Sequence, residues 1–84
     1  MLKVMVVDDD YAVREGMVAG VNWTRLGCRV IAQADDGVDA LKKIEKERPD
    51  VIFTDVVMPR MDGLGLMEEV LRRYPEIRMV VISA

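Results

Sequence analysis

Residues 50–63 read Asp-Val-Ile-Phe-Thr-Asp-Val-Val-Met-Pro-Arg-Met-Asp-Gly, and this stretch decides how the rest of the chain folds. Four apolar or β-branched residues lead directly into Asp55, and Pro59 followed by an Asp-Gly pair then turns the chain. A short run of this composition is typical of a strand buried on both faces of a parallel sheet. Asp55 is therefore predicted at the carboxyl end of a strand, the edge at which open α/β sheets bind ligands.

Two other segments have the same form. Four apolar residues near the N terminus end in a row of aspartates, and four near the C terminus end in a serine. If the three strands are parallel neighbours, one edge of the sheet collects Asp8, Asp9, Asp55 and Ser83. The plainer alternative is that each polar residue only ends its strand and faces water. That alternative is open for any one of them and is disfavoured for all of them together.

Composition excludes several functions. The 84 residues contain 12 basic and 15 acidic side chains, and a net charge of −3 argues against nucleic acid or a membrane surface as a direct partner. The absence of histidine excludes a His-based triad and a His-containing zinc site. The single Cys28 cannot form an internal disulfide, and no apolar run approaches the roughly 20 residues of a membrane span. Without a signal-peptide pattern, we expect a cytoplasmic chain.

The acidic cluster predicts a metal ion. Carboxylates that converge at one sheet edge repel one another, so they cannot all stay ionised without compensation. A dication supplies that compensation. Because only oxygen ligands are available, the cluster favours a hard ion, and Mg²⁺ with a shell completed by water fits a site with few protein ligands.

The order of segments predicts an α/β domain in which strands and helices alternate. This alternation gives a parallel sheet with right-handed crossovers, and the strand order 2-1-3-4 follows if the first and third strands are adjacent. The predicted first strand spans Lys3–Val7, the second Arg29–Ala34 and the fourth Arg78–Ser83, and the third helix spans roughly Leu64–Tyr74. The first helix is expected to cover one face of the sheet, and the other two helices the opposite face.

Helical spacing predicts which side chains of the helices face the sheet. For the first helix they are Val13, Met17, Gly20 and Val21, with Arg14 and Glu15 outward and close packing at Gly16 and Gly20. For the second helix they are Val38, Leu41 and Ile44, and for the third Met67, Val70, Leu71 and Tyr74. Asp36 is expected to cap the second helix, Asp62 to serve a turn or cap rather than a metal, and Trp23 to fill the space under the first helix.

These residues carry a resemblance to a known family. An acidic pair after the first strand, Asp-x-x-Met-Pro-x-Met-Asp-Gly after the third, and Ser-Ala after the fourth resemble the receiver domain of two-component response regulators. The resemblance extends from Lys3 to Ala84 and implies a flavodoxin-like doubly wound sheet. It implies a signalling domain that accepts a phosphoryl group from a sensor histidine kinase and is not a turnover enzyme.

The resemblance also assigns roles by position. Asp55 would be the phosphoacceptor, and Ser83 the hydroxyl that contacts the phosphoryl group. Mg²⁺ would be held by Asp9 and Asp55 directly, by Asp8 through water, and by the backbone carbonyl of Val57. Receiver domains of this type continue through a fourth helix, a fifth strand that ends in a lysine, and a fifth helix. We therefore expect residues 1–84 to form the N-terminal part of such a domain, with impaired phosphorylation of this stretch alone.

Three further expectations complete the interpretation. An exposed edge of the fourth strand, or an uncovered sheet face, is expected to make the chain self-associate. The connection from Asn22 to Gly27 resembles receivers with a helix-turn-helix transcriptional output, so DNA binding would belong to another part of the protein. Two alternatives stay open: a haloacid-dehalogenase-like phosphotransferase that uses Asp8 and Asp10, and a structural or interaction module that is not phosphorylated.

Overall fold

The structure, a computed structural model, describes residues 1–82. Strands and helices alternate along the chain, as predicted. The strands are β1 (Leu2–Val7), β2 (Cys28–Ala34), β3 (Val51–Asp55) and β4 (Arg78–Ile82). The helices are α1 (Tyr11–Gly20), α2 (Gly37–Glu47) and α3 (Gly63–Arg73). The predicted strands are correct to within one residue where they are described, and Ser83 lies outside the described residues.

The four strands form one parallel sheet in the order β2-β1-β3-β4, which confirms the predicted flavodoxin-like topology. β1 and β3 are buried between the other two strands, and all four side chains from Val4 to Val7 are almost completely inaccessible to solvent. That double-sided burial explains why both strands read as continuous apolar runs. None of the helices among residues 1–82 is long and apolar enough to cross a membrane.

The face of the sheet covered by α2 and α3 carries the main core. Met5, Ile44, Ile52 and Leu66 are fully buried there. The same cluster also contains the following side chains: Val7, Ala34, Ala40, Met58, Val70, Tyr74 and Ile77. Burial of this many apolar side chains on one face makes it the principal source of hydrophobic stabilisation.

The face covered by α1 has a smaller core built around Trp23. Val4, Val6 and Trp23 are buried there, with partly exposed neighbours around them. The indole N–H of Trp23 donates to the Val18 carbonyl at 3.2 Å, and its ring meets that of Phe53 edge-on at a centroid distance of 5.3 Å. Trp23 therefore fills the space under α1, as predicted from the sequence.

Several predictions of helix packing are wrong. Val13 and Val21, predicted to face the sheet, are 51% and 37% exposed. Gly16 and Gly20 do not approach the sheet closely, because a Cβ placed on either would meet nothing within 4 Å. α1 contacts the core on its side of the sheet through Met17 and Val18. Leu71 of α3 is 58% exposed instead of buried. α3 faces the sheet through Gly63, Leu66 and Val70, which lie on one helical row that Leu71 does not share.

The pairing of β1 with β2 is interrupted by a register shift. Val4 lies opposite Val30, but Met5 lies opposite Ala32, so Ile31 has no partner across the strand pair. This extra residue reverses which side chains of β2 face each side of the sheet. Before it, Val30 packs on the α1 side, and after it, Ala32 packs on the α2 and α3 side.

Candidate functional site

Three carboxylates meet at the carboxyl edge of the sheet, as the sequence predicted. Asp8 and Asp9 follow β1, and Asp55 ends the neighbouring strand β3. One oxygen of each of the three lies within 4.8 Å of the others. Asp8 is buried, Asp9 is exposed and Asp55 is intermediate, so the cluster has a protected side and an open side.

The backbone around Asp8 is fixed by hydrogen bonds on three sides. Its amide donates to the Ala34 carbonyl at 3.1 Å, and its side-chain Oδ1 accepts from the amide of Asp10 at 2.9 Å. Its carbonyl accepts from Nη1 of Arg14 at 2.6 Å, while Nε of Arg14 donates to the Gln33 side chain at 3.1 Å. Arg14, predicted to point outward, instead ties the end of β1 to β2.

Burial raises the pKa of Asp8 above its ordinary value, the hydrogen bond from the Asp10 amide opposes this, and the charge of Asp55 raises it further. In the folded protein without metal, ionised Asp8 therefore costs free energy. Its contribution to stability falls as the pH rises from the ordinary pKa through the raised one. A bound cation removes this cost, which is the electrostatic reason for a metal at this position.

The position of Asp55 depends on a close contact between α3 and the end of β3. Its Oδ1 accepts from the amide of Val56 at 2.8 Å, and its carbonyl oxygen accepts from the Thr54 hydroxyl at 3.0 Å. The Gly63 amide donates to the Val56 carbonyl at 2.7 Å, and a Cβ on Gly63 would lie 2.2 Å from the Asp55 carbonyl oxygen. Only glycine fits there.

The structure confirms the predicted role of some of the remaining site residues and leaves that of others untested. Asp62 caps α3, since its Oδ1 accepts from the Gly65 amide at 2.8 Å, and this confirms the turn or cap role. Asp10 caps α1 by accepting from the Val13 amide at 3.1 Å. The side chain of Val57 is 75% exposed, and the metal contact of its carbonyl stays a prediction. Ser83 lies outside the described residues, so its role also stays a prediction.

Residues 56–62, the β3–α3 loop, are attached to the start of α2 by an ion pair. Nε and Nη2 of Arg60 donate to the two carboxylate oxygens of Asp36, the second at 3.1 Å. Burial of Asp36 alone would raise its pKa, but the hydrogen bonds from Arg60 and the Asp39 amide outweigh it and hold the pKa below its ordinary value. Asp36 also caps α2 through the Asp39 amide at 2.8 Å, as predicted.

An open cleft of about 370 Å³ lies beside the carboxylates. One side is acidic and the other is apolar, and the lining residues are Val7, Asp8, Asp9, Asp10, Val13, Met17, Asp55 and Ile82. None of the described residues that line it is basic. A small anion could therefore approach Asp55 only if a cation offset the charge of the surrounding carboxylates.

The donor set fits Mg²⁺. The three side chains supply only carboxylate oxygens, the ligand type that Mg²⁺ prefers, and these oxygens lie close enough together to hold one ion directly or through water. The cluster is open to solvent on the side of Asp9.

Fold and site together define a doubly wound α/β domain with an acidic cluster at the carboxyl edge of its sheet. The model of the response regulator receiver domain matches residues 4–84. The chain belongs to this family of signalling domains.

Relatives of known sequence and structure agree with this assignment. The response regulator GacA of Pseudomonas aeruginosa is 42% identical over 86 residues, which cover 99% of this chain and 38% of GacA. A two-component transcriptional regulator, AraC, from Clostridium phytofermentans superposes with a TM-score of 0.91 at 41% identity, covering 99% of this chain and 64% of that one. CheY in the CheX-CheY-BeF3-Mg²⁺ complex of Borrelia burgdorferi gives a TM-score of 0.87 at 27% identity, with 99% and 62% covered. The chain spans between 22% and 38% of the length of several curated relatives that it matches.

Sequence reasoning missed two arginines that bind residues near the site. Arg14 binds the carbonyl of Asp8, and Arg60 binds Asp36. Helical spacing assigned Arg14 to solvent, because it reports the direction of a side chain from its helix axis and not the reach of a long one. Arg60 and Asp36 are 24 positions apart, and nothing local in the sequence pairs them.

Proposed function

We propose that this chain is the phosphoryl-accepting part of a response regulator, with Asp55 as the acceptor and Mg²⁺ as the cofactor. The observation that carries the proposal is the convergence of Asp8, Asp9 and Asp55 within 4.8 Å at the sheet edge, next to an open cleft. The sensor histidine kinase would be the phosphodonor, and a downstream transcriptional output the target. A cytoplasmic location is proposed from the family alone.

Asp55 needs no general base. Its carboxylate is itself the nucleophile and can attack phosphorus directly. One Asp55 oxygen forms a bond to phosphorus while the bond from phosphorus to the donor imidazole nitrogen breaks, and the released imidazole takes up a proton. The hydrogen bond from the Val56 amide to Oδ1 fixes the carboxylate and leaves Oδ2 as the attacking atom.

Each of the other ligands has a separate part. Asp9 and Asp55 would hold Mg²⁺ directly, the buried Asp8 would act through water, and the carbonyl of Val57 would complete the protein ligands. When bound, the ion would offset the charge of the carboxylates and of the incoming phosphoryl oxygens. Support comes from the CheY complex with BeF3 and Mg²⁺, whose fold this chain shares. Ser83 would donate a hydrogen bond to the new phosphoryl group.

The proposed domain extends beyond residue 84. Several similar solved structures are covered to between 59% and 68% by this chain, the Clostridium regulator to 64%. We propose that residues 1–84 supply the acidic half of the site and that a lysine from a later strand supplies the cationic half. DNA binding by the whole protein is assigned to another domain, because relatives such as the Clostridium regulator are transcriptional regulators.

Mapping the modified residue tests the acceptor. The full-length protein that carries this sequence is incubated with Mg²⁺ and acetyl phosphate, and the acyl phosphate is located by mass spectrometry after trapping with hydroxylamine. We expect the label on Asp55 and its loss in Asp55→Asn. Asp62→Asn is the matched control, because it makes the same chemical change nearby and asparagine also caps a helix.

The same experiment separates the alternatives. A label on Asp8 that survives Asp55→Asn would favour the haloacid-dehalogenase-like phosphotransferase, which the capping role of Asp10 and the family assignment disfavour. No label on any aspartate in the full-length protein would favour the structural module. Residues 1–84 alone are expected to label poorly, because transition-state charge lacks a cationic partner.

Metal binding is tested by calorimetric titration with Mg²⁺. Asp9→Ala and Asp55→Ala should weaken binding by at least about tenfold, since each removes a direct ligand. Glu68→Ala is the control, because Glu68 is an exposed carboxylate on α3 outside the cluster. Affinity equal to that of the wild type in both ligand variants would contradict the assigned site.

A further inference from the structure

The β3–α3 loop, which carries the proposed Val57 ligand, is attached to the rest of the molecule at its base, at its tip and through the buried side chain of Met58. At its base, the Gly63 amide donates to the Val56 carbonyl at 2.7 Å, so the two ends of the loop are closed against each other. At its tip, residues 60 and 61 contact the first residues of α2. Val57 lies between the base and the tip, next to buried Met58, and the other side chains of the loop are partly or fully exposed.

The contact at the tip involves both side chain and backbone. Arg60 forms a two-point ion pair with Asp36, whose side chain is only 5% exposed. One residue further on, the Gly37 amide donates to the Met61 carbonyl at 2.9 Å. A Cβ on Gly37 would lie 2.6 Å from that same oxygen, so the loop and the start of α2 are in direct backbone contact. Asp36 and Gly37 thus form a fixed platform for the loop.

Asp36 is itself held firmly, which makes it suitable as an anchor. Its Oδ1 caps α2 by accepting from the Asp39 amide at 2.8 Å, so the carboxylate belongs to the helix as much as to the ion pair. α2 in turn packs on the buried core through Ala40 and Ile44. Through this chain of contacts the tip of the loop is connected to the most buried part of the molecule.

We propose that Arg60 and Asp36 are positioning residues for the metal site: their ion pair fixes the β3–α3 loop so that the Val57 carbonyl and Asp55 are held in place for Mg²⁺. The inference rests on the proposed function, because it assumes that the loop contributes to a metal site. It adds two residues that contact neither the metal nor the phosphoryl group. Residues that orient metal ligands affect metal affinity strongly in other proteins.

Single substitutions of the two partners distinguish positioning from simple charge effects. Removing a positive charge near an acidic site strengthens cation binding by Coulomb's law alone, and removing a negative charge weakens it. Positioning predicts that Arg60→Gln and Asp36→Asn both weaken Mg²⁺ binding, by about threefold to tenfold each. Asp36→Asn keeps a side-chain oxygen for the cap, so α2 is retained. The decisive case is Arg60→Gln, for which the two explanations predict opposite signs.

The full set of variants is measured in the full-length protein by calorimetric titration with Mg²⁺. The double variant Arg60→Gln/Asp36→Asn should bind Mg²⁺ about as weakly as either single variant, because both remove one interaction. Arg60→Lys should restore part of the affinity. Arg72→Gln, which breaks an exposed ion pair with Glu69 on α3, is the matched control and should leave Mg²⁺ affinity unchanged. Unchanged or tighter binding by Arg60→Gln overturns the proposal.

A measurement without metal separates this proposal from the proposed function. Deuterium uptake by residues 56–63 of the metal-free protein should rise in Arg60→Gln and in Asp36→Asn but not in Arg72→Gln. If the wild type binds no Mg²⁺, the proposed function is wrong. The deuterium uptake then still shows whether the ion pair between Arg60 and Asp36 fixes the loop. Uptake equal to that of the wild type in both variants would show that the loop does not depend on the pair.

Discussion

The two faces of the sheet differ in how completely they are covered. On the α2 and α3 side, eleven buried side chains form one continuous cluster, and both helices contribute fully buried residues. On the α1 side, three buried side chains form the core, and α1 has no fully buried residue. Val13, Val80 and Ile82 on this second side are between 37% and 51% exposed.

This difference assigns separate tasks to the two faces. The α2 and α3 face supplies most of the hydrophobic free energy of folding and anchors the β3–α3 loop. The α1 face forms the apolar wall of the acidic cleft, since Val13, Met17 and Ile82 line it. Because α1 has no fully buried residue, we expect local opening to cost less free energy on this face than on the other.

The largest effect should come from emptying the well-covered face. Ile52→Ala removes a fully buried side chain from β3, and we expect a loss of about 2–5 kcal/mol in the free energy of unfolding. Ile82→Ala on β4 makes the same chemical change at a position that is 37% exposed and should cost less than about half as much. Equal losses in urea denaturation would refute the contrast between the faces.

Two glycines on different helices sharpen the same contrast. Gly63→Ala places a methyl group against the Asp55 carbonyl and should cost about 1–3 kcal/mol. Gly16→Ala on α1 meets open space and should stabilise the protein by about 0.4–1 kcal/mol, because alanine favours the helix. Thermal unfolding followed by circular dichroism measures both. A loss of stability in Gly16→Ala would mean that α1 packs more closely than described.

Self-association through the open face is the next prediction. Within residues 1–82, β4 pairs with β3 alone, and Val80 and Ile82 are exposed on the α1 side. A second copy is the proposed occupant of this edge. Val80→Lys should raise the dissociation constant of the 84-residue chain by about tenfold, whereas Leu71→Lys, on α3, should not. Light scattering after size exclusion measures this, and a monodisperse monomer at tens of micromolar would contradict it.

The smallest effect concerns acid stability and the ion pair at the loop tip. The pKa of Asp36 in the folded protein lies below its ordinary value of 3.8, so acidification through that window protonates the unfolded chain first. The stability that Asp36 contributes is therefore complete above the window and is lost as the pH falls through it. Urea denaturation at several pH values should show the wild type losing more stability than Asp36→Asn. Parallel pH profiles would contradict the lowered pKa.

Local patterns predicted what depends on neighbours in sequence. The runs that end in Asp8 and Asp55 gave the strands, their parallel order and the convergence of the carboxylates. Asp36 and Asp62 were correctly predicted as helix caps, because a cap is satisfied within four residues.

Features that depend on distant contacts were missed. Whether a glycine such as Gly16 is a point of close approach depends on how far neighbouring large side chains hold the helix from the sheet. The bonds of Arg14 to Asp8 and of Arg60 to Asp36 depend on loop geometry that periodicity does not encode. The partners of Arg14 and Arg60 come within hydrogen-bonding distance only once the strands have assembled into the sheet.

The unpaired Ile31 has a consequence for insertions and deletions. A strand alternates its side chains between the two faces of the sheet. Removing one residue therefore normally moves every later side chain of the strand to the opposite face. β2 already contains one such reversal, and deletion of Ile31 would bring Val30 opposite Val4 and Ala32 opposite Met5 without any interruption. It is thus the place in β2 where a single-residue deletion keeps Val30, Ala32 and Ala34 on their present sides. Gln33 would still accept the hydrogen bond from Arg14, so the link from Arg14 to the Asp8 carbonyl would survive this deletion.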